Sequence, residues 1–230
     1  MQTLDLKVMQ ALRDEEHEDR KALRITKGAY AKAHLYAKIV TQIAGGGREC
    51  YGYMLKPADA FDDTITDIYF ADHQDATASY VSVTPEGVKE AGDTVAQMGY
   101  QIVGWWHSHG TMSCFHSGTD VTNFETVLHS VAPQTMYKLE EAVHQWDNDT
   151  LWFDNYRIEG MEQKTVRVIK KTQRDPFAFS LVVNAKDDNY RECRTKSFNH
   201  ATRSFDLNEP YHPELQLIEK EDDVVLDVPD

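Results

Sequence analysis

Ile102-Val103-Gly104-Trp105-Trp106 is a bulky, uncharged run that reads as a buried strand. The chain then leaves the apolar layer, and side chains of metal-ligand type follow at once in His107-Ser108-His109. In extended backbone successive side chains alternate between faces, so His107 and His109 point to one side. Two imidazoles at one strand end can share a metal ion. Asp120 supplies a third ligand if the intervening loop turns back, and Ser117 returns with it. Glycines at 104, 110 and 118 allow the tight path such a loop needs. The active site is expected in this stretch.

The flanking sequence divides into a domain and two charged ends. Residues 1–21 read as a charged helix or arm, whose centre (13–21) is a solvated face. Residues 22–206 form the domain proper. Its first strand (23–26) ends at Thr26, which suits the N-cap of a helix over 27–44 with a stripe of Ala29, Ala33, Leu35, Tyr36, Ile39, Val40 and Ile43. Gly45-Gly46-Gly47 stops that helix. Strands are expected at 48–56, 65–71 and 80–83, then a helix from Pro85 to about Met98, then the central strand. After Asp120 an amphipathic helix presents Phe124, Val127, Leu128 and Val131 on one face. Residues 132–175 read as an insertion, helical at 136–146 and strand-like at 151–158 and 165–169. Residues 177–183 resume a core strand, 190–196 pair with it as a hairpin, and 207–230 form an acidic tail.

Charge and cysteine content exclude several classes. The net charge of -14 argues against a nucleic-acid binder, which normally presents a basic face. Nine acidic residues and one lysine fall between Asp206 and Asp230, read as a solvated tail. No apolar run approaches the roughly 20 residues of a membrane span, and the first residues lack a secretory h-region. Cys50, Cys114 and Cys193 are odd in number and widely spaced, so a reducing cytoplasm is expected.

Two histidines and one carboxylate suit a catalytic zinc, which takes three protein ligands and leaves one position open. Zinc in such a site acidifies water toward a pKa of roughly 7. A neighbouring carboxylate outside the ligand set can then move the proton to a leaving amine, and Glu49 is the candidate. Ser117 can donate to a developing oxyanion. Taken singly, each piece also has an ordinary reading. Ser117-x-x-Asp120 is a capping-box pattern, Glu49 alone is a strand-end carboxylate, and His-x-His is common. Cys114 and His116 read as loop residues without a metal role. His34, His73, His129, His144, His200 and His212 read as solvated, and Cys50 as facing the core opposite Glu49.

Together, His107-x-His109, seven intervening residues and Ser117-x-x-Asp120, with Glu49-Cys50-Tyr51-Gly52 upstream, resemble the signature of the JAMM (MPN+) zinc metalloproteases. The resemblance runs over roughly 22–198. It implies an α/β (α+β) fold, a curved mixed β-sheet flanked by helices, of the MPN and cytidine-deaminase-like kind. It implies that His107, His109 and Asp120 bind one zinc ion, that Glu49 is the general acid/base and that Ser117 stabilises the tetrahedral intermediate. The deaminase signature itself is absent. The loop Cys114-Phe115-His116-Ser117-Gly118 resembles that of the proteasome-lid deubiquitinase and its archaeal relatives, except that Gly110 stands where those enzymes carry proline. The implied substrate is ubiquitin or a ubiquitin-like protein, its tail pairing with the edge Tyr80-Val81-Ser82-Val83. A proteasome-like assembly is an implied partner; nucleic acid and membrane are not. Two alternatives stand beside this: a hydrolase of the same type acting on a small peptide, amide or carrier-protein adduct, and a non-catalytic assembly module.

Overall fold

In the computed structural model, residues 20–44, 48–71, 75–76, 81–145, 150–153, 156–159 and 165–219 are described. The elements follow in the order β1 (Ala22–Thr26), α1 (Lys27–Ile43), β2 (Tyr51–Pro57), β3 (Asp67–Phe70), β4 (Asp75–Ala76), β5 (Val81–Ser82), α2 (Pro85–Gln97) and β6 (Tyr100–Ser108). Then come α3 (Gly118–Thr135), β7 (Tyr137–Gln145), β8 (Thr150–Phe153), β9 (Tyr156–Glu159), β10 (Thr165–Gln173), β11 (Phe177–Val183), β12 (Asn189–Asn199), β13 (Ser204–Leu207) and β14 (Glu214–Ile218).

The expected buried strand, β6, lies inside a six-stranded sheet of order β13-β12-β11-β6-β2-β3. Only β11 and β6 run parallel; the other neighbours are antiparallel, which makes the sheet mixed. On one face α1 lays Ala29, Ala33 and Ala37 against Met54, Val103, Trp106, Phe179 and Leu181. On the other, Val88, Ala91 and Val95 of α2 and Phe124, Val127, Leu128 and Val131 of α3 pack on Tyr53, Leu55, Trp105 and Ala178. Thr26 caps α1 by accepting from Ala29 N at 3.2 Å. None of the described helices is long and apolar enough to cross a membrane.

A bulge in β6 decides which face the site uses. Met54 pairs with Gly104, but the next residue, Leu55, pairs with Ile102, so Val103 is an extra residue. One added residue reverses the alternation of all that follow. Trp106 therefore enters the α1 core, whereas Trp105 joins the α2–α3 core. Gly104 sits where β11 comes close to β6: a Cβ there would lie 2.1 Å from Phe179 O and 2.8 Å from Met54 Cε.

Four expectations change. The helix expected over 136–146 is not formed by residues 137–145: β7 pairs along all nine with β10, and 146 lies outside the described residues. The helix-favouring Leu-Glu-Glu-Ala run yields to this long-range ladder, and the alternation of Tyr137, Leu139 and Val143 is the local signal for it. Arg174 ties the base of this excursion to the domain, donating to Met136 O, to Thr135 O and through a fork to both oxygens of Asp63. Next, the chain after Leu207 is not all tail. Tyr211 bridges to Cys193, and β14 adds in parallel to β1; residues 220–230 lie outside the described residues. Arg20, read as part of a solvated face, is buried, donates to Asp175 O at 3.0 Å and lies over the Phe177 ring; residues 1–19 lie outside the described residues. Finally, the buried side of α1 is narrower than its apolar stripe: Ile43 is 83 % exposed, because the alanines let the helix lie close to the sheet.

Gly104→Ala is expected to lower stability by about 3 kcal/mol, the upper part of the range for overpacking a filled core. Urea unfolding measures this; a loss under about 0.5 kcal/mol would show that β6 and β11 can separate cheaply.

Candidate metal centre

Past the bulge, alternation sends His107 to the α3 side of the sheet, and the chain carries His109 to the same side. His107 Nε2 and His109 Nε2 lie 3.2 Å apart. Asp120, in the first turn of α3, places Oδ1 3.4 Å from His107 Nε2 and Oδ2 3.6 Å from His109 Nε2. All three residues are buried. Four-coordinate zinc with bonds of about 2.0–2.2 Å has ligand–ligand edges of about 3.3–3.6 Å. The approaches to the two Asp120 oxygens are of that size, and one ligand atom from each residue lies within 4.8 Å of the others, so these residues fit the metal.

Hydrogen bonds set which atoms face the centre. His109 Nδ1 donates to Ser113 O at 2.8 Å, which leaves Nε2 with its lone pair. His109 N donates to Val183 O on β11. The Trp105 ring stacks on His107 at 4.4 Å and fixes its plane. His107 Nδ1 has no hydrogen-bond partner among the described residues. Burial lowers the His107 pKa to about 4, so this imidazole is neutral at pH 7, as a ligand must be. Burial also opposes charge on His109, but Asp120, the Ser113 carbonyl and Glu49 outweigh it and the net shift is upward. Burial would raise the Asp120 carboxyl; the two histidines and the Ser117 side chain hold it well below the usual range instead.

The capping box expected of Ser117-x-x-Asp120 is present, and the Asp120 carboxylate it holds faces both histidines. Ser117 is the N-cap of α3, its Oγ accepting from Asp120 N at 3.2 Å, while Asp120 Oδ2 accepts from Ser117 N at 2.7 Å. The Ser117 hydroxyl proton is not used by this cap. Glu49 lies just before β2. Tyr51 pairs with His107, and Ser108 N donates to Cys50 O, so the same register sets Glu49 opposite His109. Glu49 is buried, and burial pushes its carboxyl up to about 7, with His109 opposing and Asp120 adding to the rise. Cys50 faces the α1 core, as expected. Gly110 adopts φ +54, a conformation closed to proline, which fixes φ near -65°.

Ser108 was not singled out from the sequence, and His116, read there as a loop residue without a metal role, has partners of its own. Ser108 Oγ accepts from Cys50 N at 3.1 Å and so locks β2 to β6 where Glu49 emerges. His116 is buried: Nε2 lies 2.8 Å from Ser180 Oγ and Nδ1 3.3 Å from Glu192 Oε2. Glu192 also accepts from Arg194 Nε at 2.7 Å and Tyr190 OH at 3.0 Å. His34 is buried rather than solvated, its Nδ1 3.3 Å from Asn184 O; His129, His200 and His212 are exposed. Cys114 contacts Asp188 O at 3.4 Å through Sγ. The expected edge at 80–83 is present as β5, a two-residue pairing with β4, while residues 72–74 and 77–80 lie outside the described residues.

Comparison with known proteins gives a family. The family model "Prokaryotic homologs of the JAB domain" matches residues 32–149, just over half of the chain and the span that holds Glu49, His107, His109, Ser117 and Asp120. No curated protein matches. Among solved structures, the solution structure of protein DSY2949 from Desulfitobacterium hafniense is similar over 86 % of this chain and 94 % of that one, at 13 % identity and a TM-score of 0.44.

The Glu192 network carries a pH dependence. Burial would raise the Glu192 carboxyl, but His116, Arg194 and Tyr190 hold it down at about 2, against 4.5 ordinarily. A lowered folded-state pKa contributes stability that is complete above about 4.5 and is lost as pH falls toward 2. Thermal melts should fall across that window, and Glu192→Gln should flatten the fall by roughly 3 kcal/mol or less. An identical acid slope in the variant would contradict this.

Proposed function

The chain belongs to the family of prokaryotic homologs of the JAB domain, and from that footing we propose that it is a zinc-dependent isopeptidase. It releases ubiquitin or a ubiquitin-like modifier from lysine or from a linear fusion. One observation carries the reading: His107, His109 and Asp120 are buried with one ligand atom each within 4.8 Å of the others, and Glu49 lies opposite His109 in the strand register.

In this reading His107 and His109 each offer Nε2, and Asp120 offers carboxylate oxygen, to the metal. When bound, zinc supplies a Lewis acid and makes water acidic enough to lose a proton near neutral pH. Glu49 accepts that proton as water oxygen adds to the (iso)peptide carbonyl carbon. It returns the proton to the amine nitrogen as the C–N bond breaks. A carboxyl at about 7 suits both steps, since neither direction is strongly uphill. Ser117 Oγ–H donates to the oxygen on which negative charge develops. Substrate selection follows from β5. Val83 N donates to Asn123 Oδ1 at 3.2 Å, which sets this strand beside the helix that carries Asp120. An extended modifier tail adding beside Val81 and Ser82 would lie next to that helix.

Glu49→Gln should retain zinc and lose about 10²–10⁴-fold in turnover of a modifier conjugate; near-normal cleavage by this variant would remove Glu49 from the mechanism. His109→Ala should lose metal and activity together. A panel of ubiquitin-like fusions and isopeptide conjugates left intact by the zinc-loaded wild-type chain would overturn the substrate reading.

A further inference from the structure

The turn between β11 and β12 lies against the loop that leads from His109 to Ser117. Two bonds join them: Ala185 N donates to Gly110 O at 2.8 Å, and Asn184 Nδ2 donates to Met112 O at 2.8 Å. Asn184 is 1 % exposed, and its amide is fully used. Nδ2 also donates to Asp188 Oδ2 at 3.1 Å, while Oδ1 accepts from Lys186 N and Asp188 N, each at 2.9 Å. The Oδ1 bonds build the turn itself, and an aspartate oxygen could accept them equally well. The donation to Met112 O leaves the turn and reaches the loop, and no carboxylate could make it.

We propose that Asn184 is a positioning residue for the metal centre. Met112 O is the anchor, and only the φ and ψ of Ser113 separate it from the Ser113 carbonyl. That carbonyl accepts from His109 Nδ1 and so holds His109 in the tautomer that leaves Nε2 bare. Asn184 thus acts on His109 through one backbone residue, without touching the metal or the substrate. The turn is itself held to α1, where Lys38 Nζ lies 3.1 Å from Asp187 Oδ1. That ion pair is exposed, but His34 Nδ1, on the buried side of α1, lies 3.3 Å from Asn184 O and ties the anchor to the domain core.

This inference rests on the zinc reading, and its test separates the two. Asn184→Asp keeps the turn acceptors and removes both donations. Asp188→Ala removes only the acceptor inside the turn. In the full chain, zinc affinity is measured by chelator competition, Tm in the metal-free state, and the His109 tautomer by ¹⁵N NMR without metal. Asn184→Asp should weaken zinc binding by about 10–100-fold and lose the single Nδ1–H tautomer of His109. Asp188→Ala should bind zinc within about twofold of wild type, whatever its Tm. Asn184→Ala removes the same donors without added charge and is judged by the same readouts if the aspartate variant does not fold. Unchanged affinity in the Asn184 variants, or equal weakening by Asp188→Ala, overturns the proposal. A wild-type chain that takes up no zinc overturns the zinc reading; the His109 tautomer then decides, and one unmoved by Asn184→Asp overturns the positioning role.

Discussion

Pairing of Met54 with Gly104, followed by the skip over Val103 to Ile102, determines where the two histidines can act. Without the extra residue, the parity of β6 would reverse beyond the bulge, and His107 would turn into the α1 core instead of toward α3. The parallel pairing with β11 supports this arrangement, because Gly104 lets the Phe179 backbone come close and His109 N then reaches Val183 O. The ligands are thus set by sheet register, and the helix only has to deliver Asp120 to them.

That delivery uses a device with two functions. The capping box at the start of α3 satisfies backbone donors that would otherwise be unpaired, and it also orients the Asp120 carboxylate. One oxygen faces each histidine, and Ser117 N–H supports the one toward His109. Glu49 is buried a strand away, where His109 alone opposes the effect of burial on its carboxyl. Two carboxylates in one site are therefore pushed in opposite directions, Asp120 toward permanent charge and Glu49 toward exchange of a proton near neutrality. That separation is what the proposed division between ligand and proton carrier requires.

Much of this was legible in the residues because it is local. Alternation placed His107 and His109 together, the three-residue spacing of Ser117 and Asp120 announced the cap, and the buried runs at β6 and β11 announced the sheet. Long-range features were not legible. The run 137–145 carries helix-favouring residues and becomes strand because β10 lies opposite it. Glu214 to Ile218 looked like acidic tail because its two leucines are sparse, yet β1 offers it a parallel edge. His116 and His34 looked like surface histidines, since nothing near them in sequence shows that Ser180, Glu192 and Asn184 will enclose them. Gly110 marked a departure whose reason, a positive φ, lies in the backbone alone.

The proposed zinc site draws on His107, His109 and Asp120, with nitrogen and oxygen donors only. Zinc-edge X-ray absorption on the loaded wild-type chain tests it directly. One zinc per chain is expected, in a four-coordinate shell of nitrogen and oxygen at about 2.0–2.2 Å, with two imidazole scattering patterns. A sulfur neighbour at about 2.3 Å, which would bring Cys114 into the shell, or zinc bound equally well after His109→Ala, would contradict it.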